Sequence, residues 1–184
     1  MSVQVIDSIF DKEYIVEMRK ALDNVPHRPT NIANRITWPY GNVGTHKILG
    51  STLYKKKSKY VHVTTGPEIF MEAFEHIANT VLKKEFELLA IRTNMQVLAM
   101  DSSFHSDGDA KTLLLFATDE WHKDWGGEFE IIVDEETGKT EKIDYVPGRV
   151  IYFEGNIRHR GLAPLVPNVY RYSVAYRCLE INAV

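Results

Sequence analysis

Three side chains in this sequence could bind a metal ion, and two of them are separated by a single residue. His105 and Asp107 lie close together, and His159 follows much later in the chain. Two imidazoles and one carboxylate form the facial triad of non-haem Fe(II) sites, which leaves the opposite face of the metal open for reaction. In an extended strand, residues i and i+2 point to the same side, so His105 and Asp107 can bind one ion. The sequence therefore predicts a metal site formed by these three residues.

An arginine and a serine near the C-terminus could bind a carboxylate. Arg171 and Ser173 share one face of a predicted strand, and a guanidinium favours planar, bidentate recognition of a carboxylate. Arg160, which adjoins His159, is the second choice for this contact. Arg177 has the same parity as Arg171, but six residues at about 3.3 Å each place it roughly 20 Å away, beyond the reach of the same ligand.

Five segments in the C-terminal half carry a family resemblance. They are, in chain order, Phe104–Gly108, Trp125–Glu128, Pro147–Phe153, His159–Pro164 and Arg171–Ala175. Together they resemble the 2-oxoglutarate- and Fe(II)-dependent oxygenases, in particular the prolyl-hydroxylase-like branch. A His-x-Asp pattern alone is weak, whereas five segments in the family's order, ending in Arg-x-Ser, are much more specific.

The resemblance implies an enzyme that uses Fe(II), 2-oxoglutarate and O2 to hydroxylate an unactivated C–H bond, with release of succinate and CO2. It implies that the far carboxylate of 2-oxoglutarate is anchored near the C-terminus and that the metal ligands are the catalytic residues. Those ligands would be His105, Asp107 and His159. The residues of the cosubstrate pocket would be Arg171, Ser173, Thr112 and Leu114.

The substrate stays open at this point. The tyrosine that is common in the family before the first metal ligand is absent from Met95–Met100. The target could therefore be a peptidyl residue, with proline as one option, or a small molecule. Two other function classes remain: a cupin-like metal-dependent enzyme that does not use 2-oxoglutarate, and a catalytically inactive jelly-roll binding module. The Arg171-x-Ser173 pair argues against the first, and the intact ligand set argues against the second.

Composition is typical of one globular enzyme domain over residues 1–184. Hydrophobic residues make up 44% and charged residues 26% of the sequence, which are ordinary values. A net charge of -3 gives no reason to expect a nucleic-acid partner. No stretch approaches the roughly 20 apolar residues of a membrane span. The single cysteine, Cys178, suits a reducing cytoplasm and is predicted to be a small buried hydrophobe. The oligomeric state stays open.

Apolar periodicity predicts two helices followed by many strands. The helices cover Asp11–Leu22 and a second stretch from Pro67 to Leu82. The predicted strands are Glu87–Ile91, Met95–Met100, Thr112–Ala117, Glu128–Val133, Glu141–Tyr145, Arg149–Phe153 and Val169–Ile181. We expect a mainly β protein with N-terminal helices (α+β). Its double-stranded β-helix (jelly-roll) core would cover roughly residues 86–184, with the helical part, roughly 1–85, packed on one sheet.

The connection between the two helices is rich in aromatic and polar residues. Residues 31–60 are predicted to be a long loop that covers the mouth of the active site. The basic run Lys55–Lys59 within this loop is predicted to be a solvated edge. His122 lies in a polar loop near the predicted site. Its role stays open, and a structural role is favoured. The histidines expected to have no role in the site are His27, His46, His62 and His76.

Overall fold

The computed structural model describes residues 3–32, 47–56, 62–64 and 66–181. Its first helix, α1 (Lys12–Asp23), begins after Asp11, whose carboxylate accepts a hydrogen bond from the backbone N–H of Tyr14 at 2.7 Å. This bond satisfies one of the N–H groups that a helix start leaves unpaired. The second helix, α2 (Ile69–Glu75), continues as a π-helical segment, His76–Leu82. Both helices lie where the apolar periodicity predicts them.

Antiparallel strands make up most of the rest of the described chain. They are β1 (Gln4–Ile6), β2 (Arg28–Ile32), β3 (Lys47–Lys56), β4 (His62–Thr64), β5 (Phe86–Gln96), β6 (Lys111–Phe116), β7 (Phe129–Asp134), β8 (Lys139–Ile143), β9 (Val150–Glu154), β10 (His159–Gly161) and β11 (Arg171–Glu180). A large sheet has the order β1-β9-β6-β11-β5-β3-β2, with β4 paired to β3, and a small sheet has the order β10-β7-β8.

Side chains alternate between the two faces of the large sheet, as the period of two in a strand requires. On β6, Leu113 and Leu115 pack against the helices in one buried cluster. Leu114 and Phe116 point the other way, into a second cluster shared with Phe129 of the small sheet. The protein is therefore a mainly β, jelly-roll-type structure with helices packed on one sheet, as the sequence predicts.

Strand β11 shows the same alternation over its whole length. Tyr172, Val174, Tyr176 and Cys178 face the helices and are buried. The residues between them face the space between the sheets. Burial raises the pKa of the Cys178 thiol to about 12, so this cysteine is a small buried hydrophobe, as predicted.

Two sequence predictions are corrected by the structure. Residues 47–56 are not part of a covering loop, because they form β3, which pairs with β5 inside the large sheet. Val97–Met100 is not strand: β5 ends at Gln96, and Ala99 adopts a left-handed conformation with φ of 66° in a turn. Trp38, Tyr40 and Lys57–Lys59 lie outside the described residues.

Within residues 3–32, 47–56, 62–64 and 66–181, no helix is both long and apolar enough to cross a lipid bilayer.

Candidate metal centre and cosubstrate pocket

Backbone pairing brings the two predicted histidine ligands side by side. The N–H of His105 donates to the carbonyl oxygen of His159 at 2.9 Å, and the N–H of His159 donates back to His105 at 2.8 Å. A hydrogen-bonded antiparallel pair points both side chains to the same face. The two imidazole ring centroids are accordingly 4.3 Å apart. A bridge between the segment before β6 and the short strand β10 therefore places the two rings together.

Asp107 is held beside the histidines by its backbone and by its side chain. Its N–H donates to the carbonyl oxygen of Gly155 at 2.6 Å, and its carbonyl oxygen accepts a hydrogen bond from Arg177. The hydroxyl of Thr112 donates to Oδ2 of Asp107 at 2.9 Å. Burial raises the pKa of the Asp107 carboxyl, but His159, His105, Thr112 and Arg177 outweigh burial, so that its pKa is lower than usual.

The three predicted ligands form a cluster whose donor atoms suit a metal ion. One ligand atom from each of His105, Asp107 and His159 lies within 4.8 Å of the others. Nδ1 of His105 lies 3.0 Å from the carbonyl oxygen of Ser103, and Nδ1 of His159 lies 2.8 Å from that of Ile157. A carbonyl oxygen can only accept, so each Nδ1 is the donor in these contacts, which makes Nε2 the nitrogen that would coordinate a metal ion. Such carbonyl contacts orient the histidine ligands of metal sites.

Arg171 occupies the closed end of the same pocket. It is only 2% exposed. Its Nε donates to the carbonyl oxygen of Gly127 at 2.7 Å, and its Nη1 donates to Oε1 of Gln96 at 2.8 Å. Its guanidinium carbon lies 5.3 Å from the ring centre of Phe116 and 5.0 Å from that of Tyr145. These contacts fix the guanidinium between the two sheets.

Among the described residues, Arg171 forms no ion pair with a carboxylate, and Glu128 acts on its charge only through a longer-range electrostatic interaction. Its Nη2 is buried and has no hydrogen-bond partner within the described part of the chain. Burial lowers the pKa of Arg171 to about 10, which leaves the guanidinium positively charged at neutral pH. A buried charged donor without a partner is costly. A bound carboxylate would remove that cost and can accept two parallel hydrogen bonds from a guanidinium.

Two glycines of the matched segments allow the chain to pass close to Arg171. A side chain on Gly127, whose φ is 79°, would come within 2.6 Å of Trp121 and 3.3 Å of the Arg171 side chain. A side chain on Gly161 would come within 2.9 Å of Gln96 and 3.2 Å of Arg171. These close approaches explain why the Trp125–Glu128 and His159–Pro164 segments contain glycine at these positions.

The other predicted pocket residues lie around the same cavity. Ser173, Thr112 and Leu114 all line it together with the metal-site residues. The hydroxyl of Thr112 is directed at Asp107. Arg160, the alternative carboxylate anchor, does not line the cavity: it forms an ion pair with the buried Glu130.

Besides Ser102, four further polar residues line the cavity that the sequence did not single out for this site. Gln96, Asn94 and Arg92 alternate along β5, and Arg177 lies on β11. Gln96 is directly opposite Arg171 in the strand register, and Arg92 is opposite Ala175. The sequence shows that polar residues alternate along β5. Which cavity these residues line can be inferred only once the strand that pairs with β5 is known.

The remaining histidines lie away from the metal ligands where the structure describes them. His27 packs with its ring tilted against that of Tyr172, with 5.3 Å between ring centres, and His76 contacts the carbonyl oxygen of Ile9 at 3.0 Å. His122 is exposed and packs near Trp125. The side chains of His46 and His62 lie outside the described residues.

Comparison with solved structures gives consistent similarity at low sequence identity. A 2OG-Fe(II) oxygenase family oxidoreductase from Burkholderia pseudomallei has a TM-score of 0.66 and 11% identity, covering 96% of this chain and 84% of that chain. A prolyl-4-hydroxylase from Pseudomonas putida has a TM-score of 0.62 and 12% identity, covering 95% and 91%.

HygX from Streptomyces hygroscopicus, solved with nickel and 2-oxoglutarate bound, has a TM-score of 0.62 and 9% identity, covering 96% and 82%. This chain has the fold of the 2OG-Fe(II) oxygenases. No protein-family model and no curated protein matches the sequence. The fold assignment therefore rests on structural similarity, and it agrees with the resemblance that the five sequence segments carry.

Proposed function

We propose that this protein is a 2-oxoglutarate-dependent Fe(II) dioxygenase that hydroxylates a C–H bond of a peptidyl residue or a small molecule. The observation that carries the proposal is one cavity that contains both a His-Asp-His cluster and a buried guanidinium with an unpaired N–H. The first feature fits Fe(II). The second fits the far carboxylate of a dicarboxylic acid.

Five residues of the pocket have a defined part in this proposal. His105, Asp107 and His159 would hold the metal, with both imidazoles oriented by carbonyl contacts. Arg171 would bind the far carboxylate of 2-oxoglutarate, and Ser173, two residues along the same face of β11, would offer a hydroxyl beside it. Bound there, iron and 2-oxoglutarate supply oxidation of a C–H bond by O2, with formation of succinate and CO2.

The walls of the pocket would exclude water and limit where a substrate can lie. Phe129 and Phe153 line the cavity and pack against the ring of His159, with 5.3 and 4.8 Å between ring centres. Leu114 contributes an apolar side chain on the floor formed by β6. An apolar wall beside a metal site restricts solvent access and strengthens electrostatic interactions inside it.

The two other function classes are weaker explanations of the same geometry. A cupin-like enzyme without 2-oxoglutarate would have no use for a buried, unpaired Arg171. A binding module without catalysis would not need both histidines oriented through Nδ1 next to an ionised Asp107. Asp107 itself supports hydroxylation, because a carboxylate ligand occupies the position that a halide would require.

The proposal is tested first by binding. Equilibrium dialysis should show that 2-oxoglutarate binds when Mn(II) or Fe(II) is present and does not bind with EDTA. The Asp107→Ala variant should lose this metal-dependent binding, because it removes the anionic ligand. The matched control is Asp109→Ala, since Asp109 is an exposed carboxylate two residues away. Binding of 2-oxoglutarate that is indifferent to metal, or loss of binding in the control alone, would contradict the assignment.

A screen then tests turnover. Peptides and small molecules are incubated with Fe(II), 2-oxoglutarate and O2, and succinate is measured with the oxidised product. Substrate-dependent succinate formation in the wild type and in Asp109→Ala, with none in Asp107→Ala, is the expected result. Oxidation of a substrate without succinate would favour the cupin-like alternative.

A further inference from the structure

Seven of the arginines that the structure describes divide into two groups by their partners. Outside the cavity, four arginines form ion pairs with carboxylates. These pairs are Arg19–Asp23, Arg149–Asp7, Arg158–Glu135 and Arg160–Glu130. In the part of the chain that the structure describes, the three cavity arginines form no such pair. They are Arg92, Arg171 and Arg177. The proposed 2-oxoglutarate contact accounts for Arg171 only.

Arg92 and Arg177 lie together at the opposite end of the cavity from Arg171. Arg92 is opposite Ala175 in the register of β5 and β11, and Arg177 is two residues further along the same face of β11. Such diagonal neighbours across antiparallel strands have Cα atoms about 7–8 Å apart, within reach of long side chains. Arg171 is roughly 20 Å from Arg177 along the strand, so a single small dicarboxylate cannot contact both ends.

The two arginines also differ from Arg171 in exposure. Arg171 is fully buried, whereas Arg92 and Arg177 are only partly buried. The Nε atoms of Arg92 and Arg177 are nevertheless buried and have no hydrogen-bond partner among the described residues. Asn94 lies between Gln96 and Arg92 on the same face of β5, directly opposite Ser173, and adds an amide in the middle of the cavity. The open end of the cavity thus presents unpaired donors beside the metal site.

The charges of the cavity do not balance when the proposed metal and cosubstrate are added. Three guanidinium groups face one carboxylate, Asp107, which leaves a surplus of two positive charges among the described lining residues. A divalent metal ion and the dianion of 2-oxoglutarate cancel each other, so their binding leaves this surplus unchanged. A cavity of this kind attracts an anion in addition to the cosubstrate.

We propose that Arg92 and Arg177, with Asn94, form a subsite for an anionic group of the primary substrate, either a carboxylate or a phosphate. This inference rests on the proposed function, because it takes the closed end of the cavity as the cosubstrate site. Guanidinium groups bind both kinds of oxyanion through paired N–H donors. The subsite places that anionic group next to Asp107, and the C–H bond to be oxidised toward the metal.

Arg177 has a second contact that must be separated from anion binding. Its Nη2 donates to the backbone carbonyl of Asp107, and Nη2 also lies 3.6 Å from the position that a Cβ on Gly108 would take. A substitution at Arg177 would therefore disturb the loop that carries a metal ligand. Among the described residues, Arg92 forms no hydrogen bond or ion pair with His105, Asp107 or His159, so it is the better position for a test.

The test uses two small fluorinated anions as probes, trifluoroacetate for a carboxylate and difluoromethylphosphonate for a phosphate. Their ¹⁹F transverse relaxation is titrated with protein that contains Zn(II) and saturating 2-oxoglutarate, which blocks Arg171. At least one anion should bind, and the neutral trifluoroacetamide should not. The anion that binds more tightly identifies the preferred group. Equal binding of the amide, or binding of neither anion, would overturn the subsite.

Substitutions then assign the binding to Arg92. Arg92→Gln should weaken anion affinity about tenfold or more, the cost of losing hydrogen bonds from a charged group. Arg92→Lys, which keeps the charge, should fall between the wild type and Arg92→Gln. The control is Lys142→Gln, which removes one positive charge at an exposed position of β8 and should leave anion affinity unchanged. Undiminished anion binding in Arg92→Gln would overturn the proposal.

The 2-oxoglutarate affinity of each variant separates this inference from the proposed function. Arg92→Gln should bind metal and 2-oxoglutarate like the wild type, which also verifies that it is folded. If even the wild-type protein fails to bind 2-oxoglutarate with metal, the proposed function fails. The anion titration, repeated without metal or cosubstrate, then still shows whether binding depends on Arg92.

Discussion

At the level of single residues, the pocket is built from side chains whose roles differ in how well the sequence predicts them. The sequence alone predicts that His105 and Asp107 bind one metal ion. Their residue types suit Fe(II), and residues i and i+2 lie on the same face of a strand. The role of Gln96 cannot be predicted from the sequence, because Gln96 becomes a neighbour of Arg171 only through the pairing of β5 with β11. The strand spacing predicts that Arg177 lies beyond the reach of a ligand bound to Arg171, and in the structure Arg177 lines the other end of the same cavity.

Arg171 should be needed for cosubstrate affinity. Arg171→Ala removes a charge-assisted contact, and its loss should weaken 2-oxoglutarate binding by about ten- to hundredfold, as expected for about 1.5–3 kcal/mol. Arg171→Lys should recover only part of this affinity, because an ammonium cannot form the bidentate contact. Isothermal titration of 2-oxoglutarate into Mn(II)-loaded protein measures the affinity of both variants. Unchanged affinity in Arg171→Ala would move the anchor elsewhere.

Thr112 should act through Asp107. Thr112→Val keeps the shape of the side chain but removes the hydroxyl that donates to Oδ2 of Asp107. We expect metal affinity to fall about tenfold, since partners that orient ligands typically matter by about 10–100-fold. The control is Thr140→Val, which removes a similar hydroxyl from Oε1 of Glu130, away from the metal. Competition for Mn(II) with a chelating dye measures the affinity.

At the level of elements, the sequence predicts helices and long apolar strands better than strands with mixed composition. β3 contains Gly50, Ser51 and three lysines, so its composition resembles a loop, and it is a strand because β5 and β2 pair with it on both sides. Val97–Met100 is apolar and was predicted as strand. It forms a turn instead, and the chain after it pairs with β10, where the N–H of Ser102 donates to the carbonyl oxygen of Gly161.

The ion pair between Glu130 and Arg160, which joins two strands of the small sheet, should make the stability of the protein depend on pH. Glu130 of β7 is opposite Arg160 of β10. Burial raises the pKa of Glu130, but Arg160 and Thr140 outweigh it, so that the pKa is below 4.5. A lowered folded pKa contributes stability that is present above pH 4.5 and is lost as the pH falls through the folded value,.

Arg160→Gln should therefore destabilise the protein by about 1–3 kcal/mol near neutral pH, because the buried carboxylate loses its partner. In the variant, burial should raise the pKa of Glu130, and the difference from the wild type should shrink at about pH 3.5. Urea unfolding at the two pH values measures this. Arg158→Gln, whose partner Glu135 is 48% exposed, should cost less than about 1 kcal/mol. A pH-independent loss in Arg160→Gln would contradict the reasoning.

Truncating a buried side chain between the large sheet and the helices should leave a cavity and lower the stability of the protein. Leu113 of β6 is fully buried in the helix-facing cluster. Leu113→Ala should lower the free energy of unfolding by about 2–5 kcal/mol. Leu179→Ala on β11 removes the same atoms from a side chain that is 42% exposed, and it should change stability by less than about 0.5 kcal/mol. Denaturant unfolding compares the two variants.

At the level of the whole molecule, the candidate site lies where the two sheets meet. His159 belongs to β10 of the small sheet, and Arg171 and Ser173 belong to β11 of the large sheet. His105 and Asp107 join them from the chain segment before β6. The order of these residues along the chain carries the family resemblance. Their meeting depends on how the two sheets stack, which a local pattern of residues does not determine.

Ligands that bridge the two sheets should stabilise the whole fold. At 100 times the dissociation constant, a ligand that binds only the folded state adds about 2.7 kcal/mol, and each kcal/mol raises Tm by about 2–4 °C in a domain of this size. Mn(II) with 2-oxoglutarate should therefore raise Tm by roughly 5–10 °C, and EDTA should abolish the shift. Asp107→Ala should show almost no shift, whereas Asp109→Ala should match the wild type. Because a surface-bound metal would stabilise both variants equally, equal shifts would show that the ion binds outside the His105–Asp107–His159 cluster.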